Sequence, residues 1–322
     1  MSVAALVSLA MDAQGCNQKQ LGQRLGVSPT QISKWKKGEH ISSEMEARLR
    51  ELANLSDEHP EFVQFVGTAA EAAKWKRLVH HLADRAYQGA ETGYNTAPLK
   101  DEMGLLCWST FHVLKGMGVT IPPAFPKELD FDYDAELDCE AAYEKNDELL
   151  QTHPLSRLIS DIYYALNNVY GFYVAYVGDL IDDDDLELFD TDAVNVEPEL
   201  MSLAACKLEV DSALAPNFLR FRRETLKNYR EWLGIVKQAA FRSGVPLQAE
   251  LLNLVYESDD ALGHEAEAES LGFNASRLHP DIYMNELLVG MRMIHQVLPA
   301  ILKKLAIDKE FELDTSKLCL GD

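Results

Sequence analysis

The chain has 322 residues, is 47% apolar and carries a formal net charge of −22. No run approaches 18 uncharged apolar residues, which argues against a membrane-spanning helix, and the first residues lack the basic segment and cleavage pattern of a signal peptide. Five widely spaced cysteines without a CxxC pair argue against a disulfide framework or a zinc site. We therefore expect a cytoplasmic protein that is longer than one typical domain.

The charge is unevenly distributed along the chain. Residues 1–55 carry seven basic and five acidic side chains, a net charge of +2, so the remaining residues carry −24. Between Gln18 and Gly38 there are five basic residues and no acidic one. A local basic patch on an acidic body is typical of a nucleic-acid-binding surface, although this patch is small. The acidic body should repel DNA and so orient the basic face toward it.

Hydrophobic residues recur at spacings of three and four almost throughout, which predicts an all-α fold. Prolines at the expected helix starts support the boundaries. The predicted helices span residues 2–14, 18–25, 29–37, 43–54, 60–88, 98–117, 134–150, 154–181, 197–214, 216–243, 246–257, 260–271 and 280–306.

The second predicted helix ends in a tight turn. Leu21 and Leu25 share one face of this helix, and Gly22 lies between them, where a side chain would hold a crossing helix away. Gly26 follows the last apolar residue and can adopt the left-handed conformation that ends a helix. Val27 then turns inward.

The third predicted helix has an N-terminal capping pattern and a buried face. Ser28 is an N-cap, Pro29 suits the first turn, and Gln31 completes a Ser-x-x-Gln capping box. Ile32 and Trp35 point back at the preceding helix, and Gly38 closes this one. The pattern predicts two short helices at a steep angle, with Thr30, Gln31, Ser33, Lys34 and Lys37 facing outward.

These residues resemble the lambda-repressor-like, or XRE, helix-turn-helix family over residues 2–55. The family places apolar, small and turn-glycine residues at set spacings, and the flanking helices also match. The matching motif positions are Leu21, Gly22, Leu25, Gly26, Ile32 and Trp35, and the flanking ones are Leu6, Leu9, Ala10, Ile41, Met45, Leu49 and Leu52.

The resemblance implies that the second helix of the motif lies in the major groove of double-stranded DNA and reads base edges. The matching positions are Ser28, Thr30, Gln31 and Lys34, with Ser33 on the same outer face. The rival interpretation for Ser28 and Gln31 is that they only cap the helix. Lys34 has no such local role and can donate to guanine.

The family's phosphate contacts include the start of the first motif helix, which Asn17 and Gln18 occupy here. The free N–H groups of that helix end favour a phosphate. Lys36 and Lys37 are further candidate phosphate contacts. We interpret Trp35 as a core residue.

Residues beyond 60 contain only weak catalytic or metal-binding patterns. His264 with its neighbouring glutamates lacks the second histidine of a zinc-protease helix. The run 182–185 lacks the central glycine and final glutamate of a calcium loop, and His80 and His81 point in directions about 100° apart on a helix. We expect no enzymatic activity, cofactor or metal.

The predicted helix 154–181 has an apolar stripe and an opposite polar side that includes Asn167. Its tyrosines line a pocket in one interpretation and belong to an ordinary core in the other. Gly171 lies off the stripe and would admit a second helix or a ligand. The predicted helix 280–306 is likewise amphipathic, and it suits a dimer seam or core packing equally.

We therefore predict an N-terminal lambda-repressor-like helix-turn-helix DNA-binding domain, residues 1–56, and a large acidic helical domain, residues 57–322, for dimerisation, sensing or partner binding. The expected function is that of a transcription regulator, a repressor by default, bound to its operator as a homodimer. A protein or small-molecule effector would act on the second domain. The alternative is an antitoxin-like or accessory protein whose acidic domain binds a protein, with DNA binding used for autoregulation.

Overall fold

The computed structural model describes residues 3–133, 140–243, 294, 297–299 and 301–304. These ranges are helical and contain no strand, which confirms the predicted all-α fold. The α-helices are α1 (Val3–Ala13), α2 (Gln18–Leu25), α3 (Pro29–Trp35), α4 (Ser43–Leu52), α5 (Pro60–Val66), α6 (Ala69–Gln88), α7 (Ala97–Lys100), α8 (Leu106–Gly116), α9 (Glu140–Thr152), α10 (Pro154–Tyr173), α11 (Asp179–Ile181), α12 (Leu200–Cys206) and α13 (Phe218–Ser243).

Shorter helical segments connect some of these elements. They are 3-10 helices at Lys127–Leu129, Asp184–Leu186 and Asp192–Asn195, and a π-helical segment at Val174–Gly178. None of the helices in the described ranges combines the length and apolar character needed to cross a membrane. The predicted helices 246–257 and 260–271, the segment around His264 and most of helix 280–306 lie outside the described residues.

Helices α1 to α4 form a small bundle with its own apolar centre. Leu21 and Ile32 are fully buried, and Leu25 and Trp35 nearly so, as predicted from their spacing. The core of this bundle continues into the rest of the chain, because α1 also packs against α5.

The predicted helix 60–88 is wrong as a single element. Gly67 has a φ of +96°, which ends α5, and the Thr68 hydroxyl accepts the N–H of Glu71 at 3.2 Å to begin α6. The apolar spacing continues across this break, so periodicity alone did not reveal it. A glycine that ends one helix and a threonine that caps the next are the local signals.

The predicted helix 98–117 is also divided. Asp101 has a φ of +52° between α7 and α8. Its carboxylate accepts the backbone N–H of Leu106 at 2.8 Å and lies 2.9 Å from His80 Nε2. This side chain stabilises the turn by bonding the first residue of α8, a long-range arrangement that helix propensity does not predict.

Two further predicted helices are shorter than expected. Of the predicted helix 197–214, only α12 is an α-helix, because the chain turns after Cys206. The Asp211 side chain then accepts the N–H of Ala213 at 2.9 Å in a local turn. The prediction 154–181 is α10 followed by the π-helical segment and α11. The predictions for α1 to α4 end within two residues of the observed helices.

Helix α10 is the central element of the larger part of the structure, packing against α6 and α12. Its Tyr163 is fully buried, and the hydroxyl lies 2.6 Å from Thr110 Oγ1. Tyr163 is therefore a core residue whose hydroxyl has a hydrogen-bond partner, and not a residue that lines a pocket. Helix α13 packs against α12 on the far side.

The polar side predicted for α10 is wrong at Asn167, which is 3% exposed. Its amide donates to the Ala86 carbonyl at 2.8 Å and accepts from Thr96 Oγ1 at 2.7 Å. The neighbouring Gly171 faces a loop, since an added Cβ would lie 3.2 Å from the Thr92 side chain. The loop before α7 therefore covers this side of α10, and Asn167 supplies its hydrogen bonds.

Candidate nucleic-acid interface

Helix α2 begins with a reciprocal capping box that the sequence analysis missed. The Asn17 side chain accepts the N–H of Gln20 at 3.0 Å, and the Gln20 side chain accepts the N–H of Asn17 at 2.9 Å. The signal is the spacing Asn-x-x-Gln, a variant of the Ser/Thr pattern. Asn17 is exposed and Gln18 half-buried at this end, where the N–H groups of Gln18 and Lys19 are not used by the box.

The turn between α2 and α3 depends on two glycines. Gly26 has a φ of +72°, as predicted for the residue that ends α2. A Cβ at Gly22 would lie 2.8 Å from the Val27 carbonyl oxygen and 3.5 Å from the backbone nitrogen of Pro29, so both the turn backbone and the start of the crossing helix α3 require a small residue here. The two helices can approach closely only because Gly22 has no side chain.

Helix α3 contains only half of the predicted capping box. The Ser28 hydroxyl accepts the backbone N–H of Gln31 at 3.2 Å, without a reciprocal bond from the Gln31 side chain among the described residues. Gln31 therefore takes part in the cap only through its backbone. Its half-buried side-chain amide is available for another partner, whereas the Ser28 hydroxyl is already engaged.

The remaining predicted side chains lie on the outer side of α3 or just beyond its end. Thr30, Lys34, Lys36 and Lys37 are exposed, and Ser33 is half-buried. Lys36 is the C-cap residue, and the chain then turns at Gly38, which has a φ of +86°. This arrangement places polar and basic groups outward while Ile32 and Trp35 hold the opposite face in the core.

Two of the seven basic residues counted in residues 1–55 have structural partners instead. The Arg48 guanidinium donates to the carbonyls of Leu25 and Arg24 at 3.2 and 3.3 Å, which caps the C-terminal end of α2. Arg50 lies 3.1 Å from Glu46 and donates to the Ser56 carbonyl at 2.9 Å. These two arginines stabilise the fold and contribute less to a DNA-facing surface than the charge count indicates.

The lysines form the outward part of the patch. Lys19, Lys36 and Lys37 are exposed, and none has a hydrogen-bond or ion-pair partner in the described part of the chain. Lys34 differs, because its ammonium lies 3.4 Å from the Glu39 carboxylate. Lys34 thus has an ionic partner that its spacing did not predict, although its side chain takes no part in a helix cap.

This arrangement agrees with a comparison to known protein families, in which a helix-turn-helix model matches residues 8–54. These residues form a helix-turn-helix domain of the lambda-repressor-like, XRE-type kind. The domain type is that of DNA-binding regulators, and α3 is the second helix of its motif. No curated protein and no solved structure matches the chain significantly.

The helix-turn-helix domain is attached to α5 without a long linker. Arg50 Nη1 donates to the carbonyls of Ser56 and Glu58, Leu55 is buried, and α5 begins at Pro60. These bonds and the packing of α1 on α5 attach the helix-turn-helix domain to the helix that follows it.

The other candidate site residues have ordinary structural partners. His80 lies against Asp101, whereas the His81 ring stacks on Tyr133 at 4.9 Å, so the two imidazoles diverge. Asp183 accepts the N–H of Asp185 at 2.9 Å in a local turn. Across the described ranges, no three His, Cys, Asp or Glu side chains are grouped to hold a metal ion.

Proposed function

We propose that this protein is a cytoplasmic, sequence-specific transcription regulator, a repressor that blocks polymerase at its operator. The observation that supports the proposal is the outward polar face of α3, which two glycines and two N-terminal caps hold at a defined angle to α2. A recognition helix must be rigid to place side chains against base edges.

The proposal assigns base reading to Thr30, Gln31 and Lys34. Gln31 suits adenine, where an amide can bond N6 and N7, and Lys34 suits guanine O6 or N7. Ser33 lies on the same face and is assigned to the groove edge. Ser28 serves as the cap and positions Gln31.

Phosphate contacts are assigned to the two ends of the motif. Asn17 and Gln18 lie at the start of α2, where free N–H groups point out of the helix. Lys36 and Lys37 follow α3 at the other end. These contacts would set the orientation on the duplex without reading its sequence.

The test is selection from random duplexes with the full-length protein, followed by titration of the selected duplex by fluorescence anisotropy. We expect one enriched motif, and binding that weakens with salt by a logarithmic slope of about −0.9 per neutralised phosphate. Absence of an enriched motif, or an affinity that does not change with salt, would contradict the proposal.

We further propose that the protein binds as a homodimer through residues beyond 60, since one helix-turn-helix covers only a half-site. Residues 294, 297–299 and 301–304 are helical, and four of their apolar side chains are exposed. The exposed fractions are 62% for Ile294, 48% for Val297, 47% for Leu298 and 45% for Ile301. This i, i+3, i+4, i+7 spacing makes one apolar face that suits a second copy of the same helix.

Sedimentation velocity tests the dimer. We expect a dimer for the natural protein, a monomer for Leu298→Glu, and a dimer for Lys303→Glu, which lies opposite the apolar face. A monomeric natural protein at tens of micromolar, both free and on the selected duplex, would remove the dimer from the proposal.

A second candidate function is an antitoxin-like or accessory role, favoured by the charge of −24 outside residues 1–55. In that case the acidic part binds a basic protein, and DNA binding serves autoregulation. A stoichiometric protein partner that copurifies from native lysate and dissociates at high salt would favour this role over that of a self-sufficient repressor.

A further inference from the structure

A cavity of about 200 Å³ opens between α8, α12 and α13 and is lined by residues of these helices and the N-cap of α12. Its lining includes carboxylates and aromatic rings but no Lys or Arg among the described residues. The residues that matter for its chemistry are His112, Glu199, Ser202, Phe221, Glu224 and Trp232. The volume is below the roughly 300–1,000 Å³ of a pocket for drug-sized ligands, so it suits a small molecule.

The polar groups in this cavity include two that lack a protein partner. Ser202 is 5% exposed, yet its hydroxyl has no hydrogen-bond partner in the described part of the chain. Glu199 is half-buried, and its carboxylate has no described basic partner. The Ser202 hydroxyl and the half-buried Glu199 carboxylate can both accept a hydrogen bond from a donor that enters the cavity.

The rest of the lining matches a cation with an apolar body. Trp232 and Phe221 are half-buried and present aromatic surface, which attracts organic cations and covers apolar groups. Glu224 adds a second carboxylate, although it also pairs with Arg220 at 2.9 Å on the solvent side. An anionic ligand would meet repulsion from both glutamates.

A row of aromatic rings leads from this cavity to the start of α5. His112 lines the cavity, and its ring centroid is 5.2 Å from that of Trp108, which is in turn 5.2 Å from that of His59. The Trp108 indole also donates to the Glu61 carboxylate at 2.7 Å. His59 and Glu61 belong to the start of α5, the helix on which α1 packs.

We propose that this cavity is the effector site of the regulator and that it binds a small organic amine with an aromatic or aliphatic body. The inference that the amine changes DNA binding rests on the proposed function, whereas binding of the amine does not. On this proposal, a bound amine shifts the His112 ring, and the contacts of His112 with Trp108 and of Trp108 with His59 pass the shift to α5. Because α1 packs on α5, the shift also changes the orientation of the helix-turn-helix domain.

Isothermal titration of the full-length protein without DNA tests the site. The probes are phenethylamine, the isosteric neutral alcohol 2-phenylethanol and the anion 3-phenylpropanoate. We expect binding of phenethylamine only, at least tenfold weaker binding to Glu199→Gln, and unchanged binding to Glu231→Gln, an exposed α13 residue outside the cavity. Equal binding of the three probes, or none at millimolar concentration, would overturn the site.

Gly116→Ala gives an independent test of location. An added Cβ would lie 2.9 Å from the Phe221 ring, which must then shift at the mouth of the cavity. We expect the variant to bind phenethylamine more weakly than the natural protein does. Without the amine, the melting temperatures of the two proteins should agree to within a few degrees. Unchanged binding would place the amine elsewhere and overturn the assignment.

DNA titrations with and without saturating phenethylamine test the effector role. We expect a change in affinity for the selected duplex of at least fivefold in the natural protein, and no change in Trp108→Leu, which should still bind the amine by calorimetry. An unaltered DNA affinity despite measured amine binding would overturn the effector role. Failure to select any duplex would instead count against the proposed function and leave the calorimetric result standing.

Discussion

The Lys34 ammonium lies 3.4 Å from the Glu39 carboxylate, so the residue best suited to read a guanine is paired with an acidic residue just beyond its own helix. Both side chains are about half exposed, which makes the pair weak in water, on the order of 0–1 kcal/mol. If Lys34 binds DNA as proposed, binding breaks this pair, and the negative charge of Glu39 beside α3 repels the phosphates. On that proposal Glu39 opposes binding in two ways.

Replacement of Glu39 by glutamine should strengthen DNA binding. We expect an affinity gain of up to about fivefold on the selected duplex at low salt, the equivalent of the pair's energy. Anisotropy titration measures it, with Glu51→Gln, an exposed residue of α4, as the control of equal charge. Equal gains in both variants would attribute the effect to net charge instead of the contact with Lys34.

Lys34→Ala should reduce the sequence specificity of DNA binding, whereas Lys37→Ala should reduce the affinity for every sequence. If Lys34 reads a guanine, its loss should cost about 1–3 kcal/mol on the selected duplex and little on a scrambled one. If Lys37 meets a phosphate, its loss should weaken both duplexes alike and reduce the salt slope by about one. Equal losses for Lys34→Ala on both duplexes would identify it as a backbone contact, and specificity would then depend on Thr30, Gln31 or DNA shape.

Gly22→Ala should destabilise the helix-turn-helix domain. The added Cβ lies 2.8 Å from the Val27 carbonyl oxygen, a backbone atom that cannot move without displacing α3. We expect a loss of about 1–3 kcal/mol of unfolding free energy, together with weaker DNA binding. Gly234→Ala is the matched control, because nothing lies within 4 Å of its added Cβ in α13, and it should stabilise by about 0.5–1 kcal/mol. Similar stability changes in the two variants would contradict this account.

His59 should make the protein less stable in acid. Burial lowers the pKa of His59 below its usual value, with partial opposition from Glu61, and its Nδ1 is buried without a hydrogen-bond partner among the described residues. The unfolded chain therefore binds a proton more readily, and the stability from neutral His59 is complete above the unfolded pKa of about 6.5 and declines as the pH falls toward the lower folded value.

His59→Phe keeps a ring against Trp108 and removes this titration. Melting temperatures at about pH 7.5 and about pH 5.5 should therefore differ less in the variant than in the natural protein. His153, whose pKa is also lowered by burial, contributes in the same direction and should leave a residual pH dependence. A variant that loses as much stability in acid as the natural protein would rule out the role of His59.

Local sequence determined the helix-turn-helix domain. Leu21, Gly26, Ser28 and Ile32 specify helix faces, a left-handed turn and a cap through neighbours within about four residues, so their roles follow from spacing alone. The lysines on the outer face follow from the same periodicity. What spacing did not reveal even here was how the basic side chains are used, since Arg48 caps another helix and Lys34 pairs with Glu39.

Only the tertiary structure decided the roles of polar residues in the larger part. Asn167 reads as a solvent-facing residue of an amphipathic helix, but it is buried because a loop 71 residues earlier in the chain supplies Thr96 as its partner. Asp101 likewise ends a helix by bonds that include His80. The cavity at Glu199 and Ser202 exists because α8, α12 and α13 meet there. Such sites combine side chains from distant segments, and hydrophobic periodicity records only which face of each helix is buried, not which partner buries it.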